Sequence, residues 1–256
     1  MNQPSLKEML AVAGEAAYLG GKRAMAYYDT GVAVEHKSDD TPVTRADREA
    51  ETVIREHLLR YFPTHQIVGE EHGKTVGSEK FQWYVDPIDG TKSFIHGVPL
   101  WGVVIGCVID NVPQVGAVYL AAIDEMYLAA LGHGATRNGR NCVASKVSEL
   151  SESTLLAGSI TRAVKRSDAY MTLADQVRLN RGWGDVFGYM LVASGRAEIM
   201  LDPAINVWDI AGVAPIVRES GAFFGNWKGE PTIHGTDAMA CAMPLLKSVV
   251  DVTRNG

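Results

Sequence analysis

Apolar residues recur at helical spacing near the start of the chain, at Leu6, Met9, Leu10, Ala13 and Ala17, behind a Ser5-Leu6-Lys7-Glu8 segment that reads as a capping box. This pattern predicts a long amphipathic helix reaching about Tyr28. A second helical pattern, Val53, Ile54, His57, Leu58 and Phe62, is entered through Pro42-Val43-Thr44-Arg45-Ala46-Asp47 and stopped by Pro63. Gln66-Ile67-Val68 is short and apolar and delivers Gly69-Glu70-Glu71 to a strand end, whereas residues 72–80 are polar and predict a mobile loop. From Leu100 the period shortens to two. Residues 103–109, 115–119 and 126–128 read as strands of an antiparallel sheet, and Asn138-Gly139 as a tight hairpin turn.

Beyond Ser151 the two periods alternate. Strands are expected at 155–159, 198–201, 222–224 and 239–242, and helices at 170–179, 187–194, 206–220 and 245–252. The fold class is therefore layered α/β: N-terminal helices plus an antiparallel sheet over residues 1–145, then an α/β half over 146–256. With neither a Pro- or Ser-rich linker nor an internal repeat between them, the halves should form one compact unit.

Composition narrows the function. With 256 residues and 46% apolar content the chain can bury a full core. Its 24 basic and 30 acidic residues give a net charge of -6 without a Lys/Arg cluster, which argues against a nucleic-acid partner. Cys107, Cys142 and Cys241 are odd in number and far apart, so neither a disulfide framework nor a zinc site is expected and a reducing cytoplasm fits. No leader pattern precedes Glu8 and no run of about 18 apolar residues occurs, so neither secretion nor membrane spanning is expected.

The chemistry concentrates in Trp83-Tyr84-Val85-Asp86-Pro87-Ile88-Asp89-Gly90-Thr91. An apolar strand runs into two carboxylates, and Mg2+ prefers a few carboxylates completed by water and phosphate oxygens. Gly90 leaves room for an anion, and a helix beginning at Thr91 would aim backbone amides at it. Glu70 and Asp209, the latter in Asn206-Val207-Trp208-Asp209, offer further carboxylates.

Taken together, Asp86-Pro87-Ile88-Asp89-Gly90-Thr91, Trp208-Asp209-Ile210-Ala211-Gly212, Gly69-Glu70-Glu71 and Pro42-Val43-Thr44 with Asp47 resemble the signature segments of the inositol monophosphatase superfamily, over nearly the whole chain. The resemblance implies an αβαβα sandwich, often dimeric, that hydrolyses a small phosphate monoester with two or three Mg2+ ions. It implies that Glu70, Asp86 and the Ile88 carbonyl hold one ion and Asp86, Asp89 and Asp209 another, with Glu70 able to reach a third. Thr91 and Asp47 would form a hydrogen-bonded pair that, with Glu70, orients and deprotonates the attacking water, and Gly90 and Thr91 would bind phosphate. Each residue also has a plainer role open to it. Asp47 and Asp209 have capping spacing, Asp86-Pro87 and Asp89-Gly90 are ordinary turn dipeptides, and Glu70 could lie in a solvated loop.

Specificity is sought downstream. Arg181-Gly182-Trp183-Gly184-Asp185 puts an acidic group where inositol monophosphatases carry small neutral residues, and Asp202 matches the family's carboxylate for substrate hydroxyls. Asp89, Gly184, Asp185 and Asp202 are thus the expected contacts to the alcohol, and two carboxylates there favour a cationic one. The wording around residues 90–101 and 182–189 resembles the histidinol-phosphatase branch, which implies hydrolysis of L-histidinol phosphate. Inositol 1-phosphate or a broad range of sugar phosphates is the alternative, and a binding protein without turnover the non-enzymatic one. Asp185 could instead be a helix N-cap, and the seven histidines, Cys107 and Met200 are expected to have structural roles.

Overall fold

The computed structural model describes residues 4–37 and 41–254. Ser5 and Glu8 do form the capping box, opening helix Leu6–Met25. Thr44 and Asp47 open helix Arg45–Tyr61 in the same way. Between the helices Val34–His36 and Pro42–Thr44 pair as a small antiparallel ribbon.

An eight-stranded sheet runs in the order Arg140–Asn141, Ala135–Arg137, Glu125–Ala130, Val112–Leu120, Gly102–Ile109, Ser78–Asp89, His65–Gly69 and Gly73–Lys74. It is antiparallel except where His65–Gly69 runs parallel to Ser78–Asp89. A five-stranded sheet follows in the order Leu179–Arg181, Thr154–Leu156, Ile199–Asp202, Ala238–Cys241, Phe223–Gly225. Its first three strands are mutually parallel and its last two pairings antiparallel.

Strand alternation explains the layering. Val103, Ile105, Cys107 and Ile109 point to the first two helices, and Val104 and Val108 to the opposite core. That second core also holds the helices Asp185–Ala193 and Val213–Glu219, and beyond them Leu156, Met200, Phe224 and Ala240 of the smaller sheet. The far face of that sheet, including Leu155, Ile199, Leu201 and Met239, is covered by Ile160–Arg166, Ala169–Ala174 and Leu246–Thr253. The molecule is an αβαβα sandwich. Among the described residues, no helix is long and apolar enough to cross a membrane.

Three local expectations change. The segment 72–80 is not wholly a loop, because Gly73–Lys74 and the exposed start of Ser78–Asp89 are strand. Backbone pairing, which does not register in side-chain polarity, holds it: Thr75 N–H donates to Ile67 C=O at 2.8 Å and Ser78 N–H to Thr64 C=O at 2.8 Å. The predicted helix 170–179 ends at Ala174, and Leu179–Arg181 is an edge strand whose order comes from its partner Thr154–Leu156. The predicted helix 206–220 is two, Val207–Ile210 and Val213–Glu219, interrupted at Ala211-Gly212. There the backbone lies against the large sheet so closely that a Cβ on Gly106 would fall 2.3 Å from the Ala211 carbonyl carbon. This seat fixes Asp209 over the sheet. Asn138-Gly139 makes the expected turn, with φ of 47° and 74°.

Candidate active site

Strand Ser78–Asp89 loses register with its neighbour between Asp86 and Asp89, so the chain bulges at Pro87-Ile88 and presents both carboxylates at the sheet end. Asp86 is buried, and one of its oxygens accepts from the Ile88 N–H at 2.9 Å. Gly90 follows at φ 91°, a left-handed conformation that strains any residue with a Cβ, and a Cβ there would lie 2.8 Å from the Leu100 carbonyl oxygen. The short helix Thr91–Ile95 starts from this turn.

Glu70 is aimed from below. Gly69 leaves space for the fully buried Glu51, since a Cβ at Gly69 would sit 2.1 Å from its carboxylate. Glu51 pairs with Arg55 at 2.6 Å and accepts from the N–H groups of Glu71 and His72 at 2.7 and 3.1 Å. The turn after Gly69 is therefore pinned, and Glu70 projects into the cleft, where Lys37 Nζ bonds it at 2.7 Å and Glu71 at 2.6 Å. Burial alone would lower the Lys37 pKa, but the two carboxylates raise it.

Two connected compartments form one cleft, sharing Asp89, Asp185 and Asp209 in their walls. The first, ≈ 190 Å³, is lined by Glu70, Asp86, Ile88, Asp89, Gly90 and Thr91, so the structure brings every expected metal and phosphate residue together with Asp209. The second, ≈ 210 Å³, is lined by Asp89, Gly184, Asp185, Tyr189, Asp202 and Asp209 among others. Asp185 has φ 52°, and the start of its helix carries no side-chain cap bond, so the capping alternative is not realised. Asp adopts this left-handed backbone more readily than most residues, and here it does so at the cleft wall.

Among the described residues, the six acidic groups of the two compartments face Lys92 and Arg162 in the lining and Lys37 on Glu70, so acids outnumber cations two to one. Asp86 is held well above the usual carboxylate range by burial, then by Glu70, Asp89 and Asp209. Asp89 is raised by burial, then by Asp185, Asp209 and Asp202. Burial, reinforced by Asp185 and Asp209, pushes Asp202 up to about 8. Asp209 is pushed up to about 7, its burial outweighing the bond it accepts from the Asn206 N–H at 2.7 Å. A cluster this acidic fits added divalent cations. Among the described residues no group of three or more acidic or thiol or imidazole side chains forms a ready-made cage. A hard cation bound here would complete its shell with the Ile88 carbonyl, water and phosphate oxygens, as Mg2+ does.

One expected contact is not formed. Asp47 and Thr91 are not hydrogen-bonded to each other: Asp47 accepts from the Thr44 N–H and hydroxyl, both at 2.7 Å, and Thr91 donates to the Ile88 carbonyl at 3.0 Å. Capping satisfies an otherwise orphaned helix N–H, so Asp47 is held under the cleft rather than in its wall. Burial, with a contribution from Glu70, pushes its pKa up to about 6. Sequence patterns assigned nothing to Lys37 or Arg162, and Tyr189 entered only within a branch-like segment, without a role of its own. Lys37 lies in a polar segment without periodicity, and the other two reach the cleft only through the packing of the second half.

Comparison with known proteins agrees with this geometry. Residues 5–251 match the model of the inositol monophosphatase family. A histidinol-phosphatase of Chlorobaculum parvum is 39% identical over 238 residues, 91% of either chain. One of Mycobacterium tuberculosis is 38% identical over 81% of this chain and 82% of its own. Inositol monophosphatase 1 of Solanum lycopersicum is 34% identical over 95% and 93%. Among solved structures, the inositol monophosphatase of Anabaena superimposes with a TM-score of 0.86 at 30% identity, covering 98% of this chain and 96% of that one. The chain belongs to the inositol monophosphatase family of phosphoric monoester hydrolases.

Proposed function

We propose that the protein hydrolyses L-histidinol phosphate to L-histidinol and phosphate in a Mg2+-dependent reaction, as a step of histidine biosynthesis. The observation that carries this reading is the pair Asp185 and Asp202 in the wall of the second compartment, where Asp89 adjoins them and Gly184 and Tyr189 complete the lining. An ammonium group on the bound alcohol would favour the ionised, acceptor-only form of both carboxyls and pair with them. Relatives named histidinol-phosphatase at 38–39% identity support the same choice.

Glu70, Asp86, the Ile88 carbonyl, Asp89 and Asp209 would hold two or three Mg2+ ions. Bound Mg2+ supplies Lewis acidity and makes water a better nucleophile. Gly90 and Thr91 offer backbone amides to the phosphate. Thr91, donating to Ile88, holds that carbonyl in the cleft wall, and its oxygen retains a lone pair for a cation. Glu70, in the cleft wall, is our candidate to accept a proton from the attacking water, and Asp47 could join it only by giving up the bonds that it accepts from Thr44. A homodimer in the cytoplasm is the setting we expect, and the three free, buried cysteines suit it.

Hydrolysis of inositol 1-phosphate is the second reading, favoured by the relatives of that name. Phosphate release from histidinol phosphate, inositol 1-phosphate and fructose 1,6-bisphosphate, each with and without Mg2+, separates them. The highest kcat/KM should belong to histidinol phosphate and vanish on chelation. Release from none of them would leave a binding protein without turnover.

A further inference from the structure

Tyr189 stands one helical turn after Asp185, so both side chains leave the same face of helix Asp185–Ala193. Its ring packs against Phe224, with centroids 5.8 Å apart, and the residue is 1% exposed. Tyr189 lines the 210 Å³ compartment, and its buried hydroxyl has no hydrogen-bond partner among the described residues. Asp202, Asp89, Asp209 and Asp185 all act on it electrostatically, yet none accepts its proton. Phenylalanine would fill this packing niche equally well, whereas a buried hydroxyl without a partner destabilises the fold. A polar group kept at that disadvantage in a cavity wall is suited to a ligand.

Ionised, the carboxylates around it accept hydrogen bonds from ligand N–H and O–H groups, whereas the phenol has one to donate. We infer that Tyr189 is a specificity-determining residue whose hydroxyl donates a hydrogen bond to an acceptor atom on the alcohol portion of the substrate. Resting on the substrate proposed above, that acceptor is the unprotonated imidazole nitrogen of histidinol phosphate, while Asp185 and Asp202 take the ammonium group. The site thus recognises two features of one ligand, a cation by charge and a ring acceptor by the phenol. A site built to hydrogen-bond a ligand group discriminates against analogues that lack it, because its own polar atom is then stranded.

The test is Tyr189→Phe in the full-length, Mg2+-loaded enzyme, with histidinol phosphate and 2-aminopropyl phosphate, which keeps the ammonium and phosphate but lacks the ring. KM for histidinol phosphate should rise roughly tenfold with kcat little changed, and the ring-less ester should be unaffected. Equal losses on both esters, or none on either, would overturn the inference. A purely structural tyrosine would lower the thermal midpoint and harm both esters alike. If the wild-type enzyme preferred inositol 1-phosphate, the substrate proposal would fail by itself. A Tyr189→Phe loss confined to that ring-bearing ester would then still support the role of the hydroxyl.

Discussion

The two ends of the cleft are built differently. At the phosphate end, Asp86, Ile88, Asp89, Gly90 and Thr91 come from one bulged strand end and the turn after it. At the alcohol end, Gly184 and Asp185, Tyr189 and Asp202 come from a helix start, a helix face and a strand end. A continuous segment keeps its internal geometry whatever surrounds it, so the reaction is tied to a short local motif. The alcohol end is assembled by packing between layers, and single substitutions there can alter the ligand without touching the chemistry.

Asp89 belongs to the bulged strand end that carries the phosphate chemistry and also lines the alcohol compartment, so its loss should be felt by every substrate. Asp89→Asn should lower kcat on the order of 10³-fold for every monoester, as loss of several kcal/mol of charge stabilisation implies, with an unchanged circular dichroism spectrum. A loss confined to one substrate would break the comparison.

Glu51 supports only the phosphate end. Its removal strands the buried Arg55 and frees the amides of Glu71 and His72. Glu51→Ala should destabilise the fold by about 3–5 kcal/mol in denaturant unfolding and raise the Mg2+ requirement of the surviving folded enzyme. Unchanged stability would mean that the turn after Gly69 is held by something else.

Titration gives a smaller effect. Asp47, Asp209 and Asp202 titrate in the fold at about 6, 7 and 8, above the unfolded value of about 3.9. The folded state therefore binds more protons across this window. Without metal, the stability these groups contribute is full below pH about 4 and is lost as pH rises toward 8. The thermal midpoint in chelator should fall between pH 5 and pH 8, and the rise on adding Mg2+ should be larger at pH 8. An equal Mg2+ effect at both pH values would remove the carboxylates from cation binding.

The same contrast governs what could be read from the sequence. The layers were legible because apolar residues alternate along Gly102–Ile109 and recur at helical spacing in Leu6–Met25. The phosphate end was legible because its ligands are neighbours in the chain. The break at Ala211-Gly212 was not, since it arises from contact with Gly106 on a distant strand. Edge strand Leu179–Arg181 likewise owes its order to its partner. Asp47 shows a different limit: its spacing fitted both a cap and a catalytic pair, and only coordinates could show that Thr44 holds it. Tyr189 stood within the segment that resembles the histidinol-phosphatase branch but had no role of its own to read, because a tyrosine in an apolar helix reads as core until a cavity is found beside it.

The claim that the alcohol end selects a cationic substrate is tested most directly by the kcat/KM of Asp185→Ala on histidinol phosphate and inositol 1-phosphate. Loss of a charge-assisted contact should cost roughly 10–100-fold on histidinol phosphate and leave inositol 1-phosphate within about threefold. Equal losses on the two substrates would contradict the account.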